Sequence, residues 1–132
     1  MKKKRILFMA SLLGAISVAM GAFAAHSLKG VLSTKSLEVF ETGVRYQFLH
    51  VFAILAAVLI PSRKEQLPMA FVWSTRWFFI GILLFSGSLF LLSTAEITGL
   101  TSLMWIGPLT PIGGLCFIIG WVSMGMGALR EF

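Results

Sequence analysis

The chain has 132 residues, of which 58% are hydrophobic and 12% are charged, and its formal net charge is +6. A soluble domain carries about 25% charged residues, so this composition excludes an ordinary water-soluble fold. The basic residues stand in small groups beside apolar stretches rather than along one polar face, which argues against a nucleic-acid-binding surface.

The first predicted membrane span covers residues 6–25 and contains no ionisable side chain. About 20 helical residues cross a hydrocarbon core about 30 Å thick, so this stretch is long enough. The basic start MKKKR and the triplet Ala22, Phe23 and Ala24 also fit a secretory signal with an A-x-A cleavage site. We expect a retained helix instead, because the apolar region of a signal is about 7–15 residues long and further apolar stretches follow here.

The second predicted span covers residues 44–60 and is preceded by an amphipathic, interfacial helix start at about 34–45. Gly30 and Ser33 interrupt the chain before this helix. Pro61 is consistent with its end, because proline cannot donate the backbone hydrogen bond that continues a helix. The connection that follows is short, charged and contains proline, as expected for a solvated loop.

The third predicted span covers residues 74–93 and begins beside tryptophan and arginine side chains, a combination typical of the headgroup boundary. A segment broken by glycine and proline follows, and we interpret it as an interfacial loop. The fourth predicted span covers residues 112–129 and ends beside Arg130. The sequence therefore predicts an all-α membrane protein, a compact four-helix transmembrane bundle in which residues 1–132 form a single domain.

The distribution of basic residues predicts the orientation of the bundle, because lysine and arginine bias short loops toward the cytoplasm. Basic groups stand at the N-terminus, in and after the second connection, and at the C-terminus: Lys2, Lys3, Lys4, Arg5, Arg63, Lys64, Arg76 and Arg130. The last outer connection has no basic residue. We therefore expect both termini to be cytoplasmic.

Four motifs occur in order along the chain: GAFAAHSL, FETGVRYQFLH, GILLFSGSLFLL and TPIGGLCFIIGW. Together they resemble the domain-of-unknown-function family 423, a group of small bacterial inner-membrane proteins. The resemblance covers nearly the whole chain and implies a four-span fold in the bacterial cell (inner) membrane. It implies no activity, because the family has none assigned.

Small residues at and near four-residue spacing predict close helix packing in the first and fourth helices. They are Ser17, Gly21, Ala25, Gly113, Gly114, Cys116 and Gly120. Packing within the bundle is the favoured interpretation. An interface with a second copy or with another membrane protein is the alternative, since close packing drives helix association in lipid.

The most informative polar cluster is Tyr46, Gln47 and His50, because His50 lies four residues after Tyr46 and three after Gln47 and so shares a helical face with them. Polar groups inside a bilayer are costly unless paired, so we expect this face to turn toward other helices or a wet cavity. His26, at the outer end of the first helix, could meet this face across the bundle. Arg45 completes this candidate intramembrane site, and it can also pair with Glu41 one turn away.

Histidine titrates near physiological pH, so a proton- or ligand-handling role for this site competes with purely structural hydrogen bonding. Two imidazoles without a second thiol or a close carboxylate form an incomplete ligand set, so no metal and no cofactor is predicted. The sequence also lacks a nucleotide-phosphate glycine motif, a nucleophile elbow and a histidine–glutamate zinc motif, so no enzyme activity is predicted.

Three functions are compatible with these features. The favoured prediction is a structural or interaction protein, with an assembly or accessory role, whose partners are the lipid bilayer and a second copy or another membrane protein. The alternative is a small transporter or channel component with a polar path through the candidate site. A third, minor prediction is a lipid- or quinone-binding protein that uses a groove beside the fourth helix.

Overall fold

The computed structural model describes residues 3–61 and 66–131, and within this part the chain is 88% helical and contains no strand. Lys2, Arg63 and Lys64, on which the predicted orientation partly depends, lie outside the described residues. Four helices are long and apolar enough to cross a membrane: α1 Lys3–Leu28, α2 Thr34–Leu59, α3 Met69–Thr98 and α4 Leu109–Glu131. A short 3₁₀-helix, Thr101–Ile106, precedes α4. The predicted all-α fold is confirmed.

The helices extend beyond the predicted spans because local signals in the loops, rather than hydrophobicity, set their ends. The hydroxyl of Ser33 accepts the backbone N–H of Ser36 at 3.2 Å and caps the start of α2. Pro68 precedes the first turn of α3. Gly99 ends α3 with a φ of 70°, a left-handed conformation that glycine adopts without strain.

The bundle is arranged around α2 and α3. Helix α1 packs mainly along α2, and α3 packs on both α2 and α4. The backbones of α2 and α4 approach each other at few points, because α3 lies against both helices. The main core cluster joins all four helices and includes Ile6, Ile54, Phe78 and Phe117.

A π-helical turn, Ile82–Ser86, interrupts α3 near its middle. The part of α3 before this turn, Met69–Gly81, packs most extensively on α4. The part after it, Gly87–Thr98, packs on α2 and has little contact with α4. The turn thus changes the face that α3 presents, and so the helix on which it packs.

Helices α3 and α4 approach closely because phenylalanine rings of one pack against glycines of the other. A Cβ added at Gly120 would lie 2.6 Å from the ring of Phe78, and a Cβ added at Gly113 would meet the backbone nitrogen of Phe85. Gly81 faces the ring of Phe117 in the same way. These glycines therefore contribute to helix packing within the bundle and are not free to contact another protein.

The other small residues of the packing prediction have different environments. Ser17 is buried, and its hydroxyl donates to the carbonyl of Leu13 at 2.8 Å, while Gly21 faces Val44 of α2. Cys116 is a buried free thiol. Ala25 is exposed, so it lies outside the interface between α1 and α2.

Candidate functional site

The imidazole of His50 is fixed between two helices by both of its nitrogens. Its side chain is 5% exposed. The indole N–H of Trp121 on α4 donates to Nε2 at 3.2 Å, and Nδ1 lies 2.8 Å from the carbonyl oxygen of Tyr46. Because indole can only donate, Nε2 is the acceptor and Nδ1 carries the hydrogen that reaches Tyr46. The ring is therefore a neutral imidazole without a free nitrogen.

His50 also belongs to a cluster of rings, which we call the aromatic cluster. The imidazole stacks on Phe117 with the ring centroids 3.5 Å apart and the planes at 7°. Contacts between ring centroids of 4.6–5.5 Å connect the other members. The cluster comprises Tyr46, His50, Phe78, Phe85, Phe117 and Trp121. It links α2, α3 and α4, and it supplies side-chain contacts between α2 and α4 where their backbones do not approach closely.

Beside the aromatic cluster, α2 and α4 leave a groove of about 1020 Å³, which we call the α2–α4 groove. Its walls are mainly hydrocarbon side chains, several of which are exposed on the surface of the bundle, among them Leu49, Phe52, Leu115 and Ile118. Exposed apolar side chains in the middle of a membrane-crossing helix face lipid. The groove is therefore open to the hydrocarbon of the bilayer, and its volume matches the range of about 300–1,000 Å³ found for ligand pockets.

Arg45 lies at the polar end of this groove and also lines a second one. The second groove, which we call the α1–α2 groove, measures about 420 Å³ and is lined by Ser17, Val18, Gly21, Glu41, Val44, Arg45 and Phe48. Within the described part of the chain, the side chains of Arg45 and Glu41 form no hydrogen bond and no ion pair within 4.0 Å. The pair predicted from their spacing is therefore not formed, and both charges are available to other groups.

The structure divides the predicted polar site. Tyr46, His50 and Arg45 line the α2–α4 groove, whereas Gln47 is buried against α1 and donates from Nε2 to the carbonyl of Leu13 at 3.2 Å. Tyr46 and Gln47 are neighbours in sequence, so about 100° of helical rotation separates their side chains. Gln47 therefore joins α2 to α1 and does not take part in the groove.

His26 lies apart from the other candidate residues. The hydrogen bond from Gln47 to Leu13 sets the register of α1 against α2. His26 lies about 20 Å further along α1 from Leu13, at about 1.5 Å per residue, and its side chain is exposed. The antiparallel register thus places His26 near the outer end of α2, away from His50.

No group of three or more histidine, cysteine, aspartate or glutamate side chains that could hold a metal ion occurs among the described residues. His50 has no free nitrogen to offer, and Cys116 is not among the groove-lining residues. The donor atoms around the groove do not fit a metal centre.

Comparison with known proteins identifies the family to which the chain belongs. A family model described as "Protein of unknown function (DUF423)" matches residues 20–114. The chain belongs to this family. Together with the four apolar helices, this makes it a multi-pass membrane protein, as predicted.

Several curated relatives cover nearly the whole chain. The UPF0382 membrane protein of Haemophilus influenzae is 41% identical over 129 residues, which are 98% of this chain and 97% of the relative. The UPF0382 inner membrane protein YgdD of Escherichia coli K12 is 35% identical over 130 residues, or 98% of this chain and 93% of the relative. The UPF0382 membrane protein YwdK of Bacillus subtilis is 36% identical over 124 residues, or 90% and 94%. No solved structure matches the chain.

Two groove residues of this DUF423 member, Phe117 and Trp121, are absent from the predicted site. Trp121 lies in the middle of α4 and donates to His50. The sequence feature that could have indicated them is their spacing, because Phe117 and Trp121 are four residues apart and so share one face of α4. A buried histidine on α2 needs a partner, and this face supplies a ring to stack on and a donor.

Proposed function

We propose that this protein is a lipid-binding protein of the bacterial inner membrane, which holds a hydrocarbon chain of a lipid in the α2–α4 groove. The observation that carries the proposal is the groove itself, an apolar space of about 1020 Å³ that faces the bilayer. Lipid chains surround the bundle at high concentration. A lipid chain can therefore fill this space without the entropy loss of associating with a second protein. This is the third of the functions that the sequence left open, and the groove supports it over the structural or interaction role that the sequence alone favoured.

The shape of the groove favours a lipid chain over a helix of another protein. Helix–helix contacts in lipid need small residues that let backbones approach. Gly113 and Gly120 of α4 face α3 inside the bundle, and Gly114 is the one α4 glycine among the residues that line the groove. The rim of the groove instead carries bulky side chains such as Phe52 and Leu115, which contact flexible chains more easily than they accept a rigid helix.

The geometry gives less support to a transporter or channel component. A polar path needs a wet cavity that reaches His50. The groove beside His50 is walled by hydrocarbon and opens to the side of the bundle. Both nitrogens of His50 and the amide of Gln47 are already engaged in hydrogen bonds. The proposal therefore includes no transport step and no chemical reaction.

The proposed location and orientation have separate support. The Escherichia coli relative is named an inner membrane protein, and the basic groups of this chain favour cytoplasmic termini. In that orientation the N-terminal end of α2, at Thr34, lies on the outer side of the membrane. We expect a membrane-impermeant maleimide to label Ser33→Cys and Ser102→Cys from outside intact cells in a Cys116→Ala background. Labelling only after the cells are opened would contradict the orientation.

Native mass spectrometry of the protein purified in mild detergent tests the lipid proposal. We expect the wild type to retain one lipid per chain. Leucine at Gly114, which lines the groove, fills the space, so Gly114→Leu should lose this lipid. Gly125→Leu is the matched control, because Gly125 is on the same helix with no atom within 4 Å of an added Cβ. A wild type without lipid, or equal retention by Gly114→Leu, would refute the proposal.

A further inference from the structure

Two exposed, opposite charges of α2, Glu41 and Arg45, line the α1–α2 groove. They are four residues apart, so their Cβ atoms are about 5–6 Å apart. Within the described residues neither side chain has an ionic or hydrogen-bonding partner. The groove therefore presents an anion and a cation side by side, and no described residue neutralises either of them.

The register of α2 against its neighbours shows how deep this pair lies. Val44 faces Gly21 of α1, and the carbonyl of Gly43 accepts a 2.7 Å hydrogen bond from Ser86, near the middle of α3. Helix α1 has no ionisable side chain from residue 6 to 25, and α3 has none for nine residues on either side of Ser86. Both charges are thus level with uncharged parts of two membrane-crossing helices, where an unpaired charge is costly.

A second copy of the chain supplies the missing partners. Copies that insert by the same charge bias share one orientation, so a two-fold axis between them is normal to the membrane and their α2 helices run parallel. Arg45 of one copy is then one turn, about 6 Å along the helix, from the level of Glu41 in the other. A long arginine side chain spans this offset, and two identical ion pairs form. The charged face is therefore complementary to itself.

The side of α1 that borders this groove permits close approach of another helix. Its exposed side chains are Val18, Ala22 and Ala25, and Gly21 beside them is partly exposed. At about 100° per residue these four residues lie within about 100° of one another around α1, whereas the bulkier, exposed Ile16 lies on the other side. Small residues let helices approach closely, and such packing drives helix association in lipid.

We infer that two copies of this protein associate in the membrane through their α1–α2 grooves, with Arg45 of each copy paired with Glu41 of the other. The inference goes beyond the proposed function, because it concerns the α1–α2 groove and not the groove that would hold the lipid chain. It makes association depend on the combination of the two charges, and not on either charge alone.

Mixing two charge-neutralised variants tests the pairing between copies. Glu41→Gln keeps the arginine and Arg45→Gln keeps the glutamate, so a homodimer of either variant has no ion pair. A heterodimer of the two retains one ion pair and has no unpaired charge in the groove. Full-length chains with tags of different mass are purified in mild detergent, alone and after co-expression, and their assemblies are counted by native mass spectrometry.

We expect the wild type to be dimeric, and each variant alone to associate about tenfold more weakly, a loss of about 1.4 kcal/mol. The co-expressed variants should form mainly heterodimers. Glu38→Gln, which is also exposed on α2 but outside both grooves, is the matched control and should associate as the wild type does. A monomeric wild type, variants that dimerise as well as the wild type, or a mixture without an excess of heterodimers would overturn the inference.

Cross-linking in membranes tests the same interface without altering its charges. In a Cys116→Ala background, a short bis-maleimide should link two copies of Val18→Cys, because Val18 lines the groove. Ile16→Cys, on the other side of α1, is the control and should stay unlinked. Equal linking of the two variants, or linking of Ile16→Cys alone, would overturn the proposed interface.

Discussion

The contact between Gly113 and Phe85 gives the sharpest test of the packing. A Cβ at position 113 would lie 2.8 Å from Cβ and 2.9 Å from Cα of Phe85, and would also meet its backbone nitrogen. Carbon atoms pack best at about 3.5–4.0 Å, so Gly113→Ala forces the two helices apart. The obstructing atoms belong to the backbone and to Cβ, and a rotamer change cannot remove them.

The expected cost follows from two opposing terms. Overpacking costs about 1–3 kcal/mol, and a backbone contact falls at the upper end of that range. Alanine recovers at most about 1 kcal/mol of helix propensity over glycine. We therefore expect Gly113→Ala to lower the free energy of unfolding by about 2 kcal/mol, measured by titrating SDS into mixed micelles and following circular dichroism.

The adjacent residue provides the control. A Cβ at Gly114 would lie 3.9 Å from the nearest atom of the Phe85 ring, an ordinary contact. Gly114→Ala should therefore leave the unfolding midpoint unchanged or raise it slightly. Equal destabilisation by the two substitutions, or a neutral Gly113→Ala, would show that α3 and α4 do not approach as described.

Further predictions concern hydrogen bonds and use the same unfolding assay. Trp121→Phe leaves Nε2 of His50 without a donor and should cost about 1 kcal/mol; a neutral result would argue against this hydrogen bond. Ser86→Ala removes a buried 2.7 Å hydrogen bond to a backbone carbonyl of α2 and should cost a similar amount. Ser74→Ala should be neutral or stabilising, because its buried hydroxyl has no partner among the described residues, and a clear loss of stability would reveal one. His26→Ala should change stability by less than about 0.5 kcal/mol, and a larger change would place His26 inside the packing.

The number and type of the helices could be predicted because each apolar stretch matches the thickness of the hydrocarbon core. The helix ends could not be predicted from hydrophobicity. Hydrophobicity indicates which residues face lipid, whereas a helix ends where its backbone hydrogen bonds end. Helix α3 illustrates the difference. It extends from Met69 to Thr98, since Pro68 and Gly99, and not the last apolar residue, determine its limits.

The candidate site was only partly predictable, because spacing along one helix does not reveal which neighbour each face meets. His50 is buried and hydrogen-bonded, as expected because an unpaired polar side chain inside the bilayer is energetically costly. Gln47 faces α1 and His26 lies at another level, and both outcomes depend on the register between α1 and α2. That register is set by contacts such as the one between Gly21 and Val44, which no periodicity within a single helix specifies.

The π-helical turn Ile82–Ser86 has a consequence for how the bundle is assembled. A regular helix would present the same face throughout its length, whereas an additional residue rotates everything after it by about 100°. Helix α3 can therefore attach to α2 with its second half and offer its first half to α4. The backbones of α2 and α4 stay apart, so α4 is held mainly by the first half of α3, with the aromatic cluster as its link to α2. A substitution that regularised the turn would therefore move α4 relative to α2 and change the width of the groove between them.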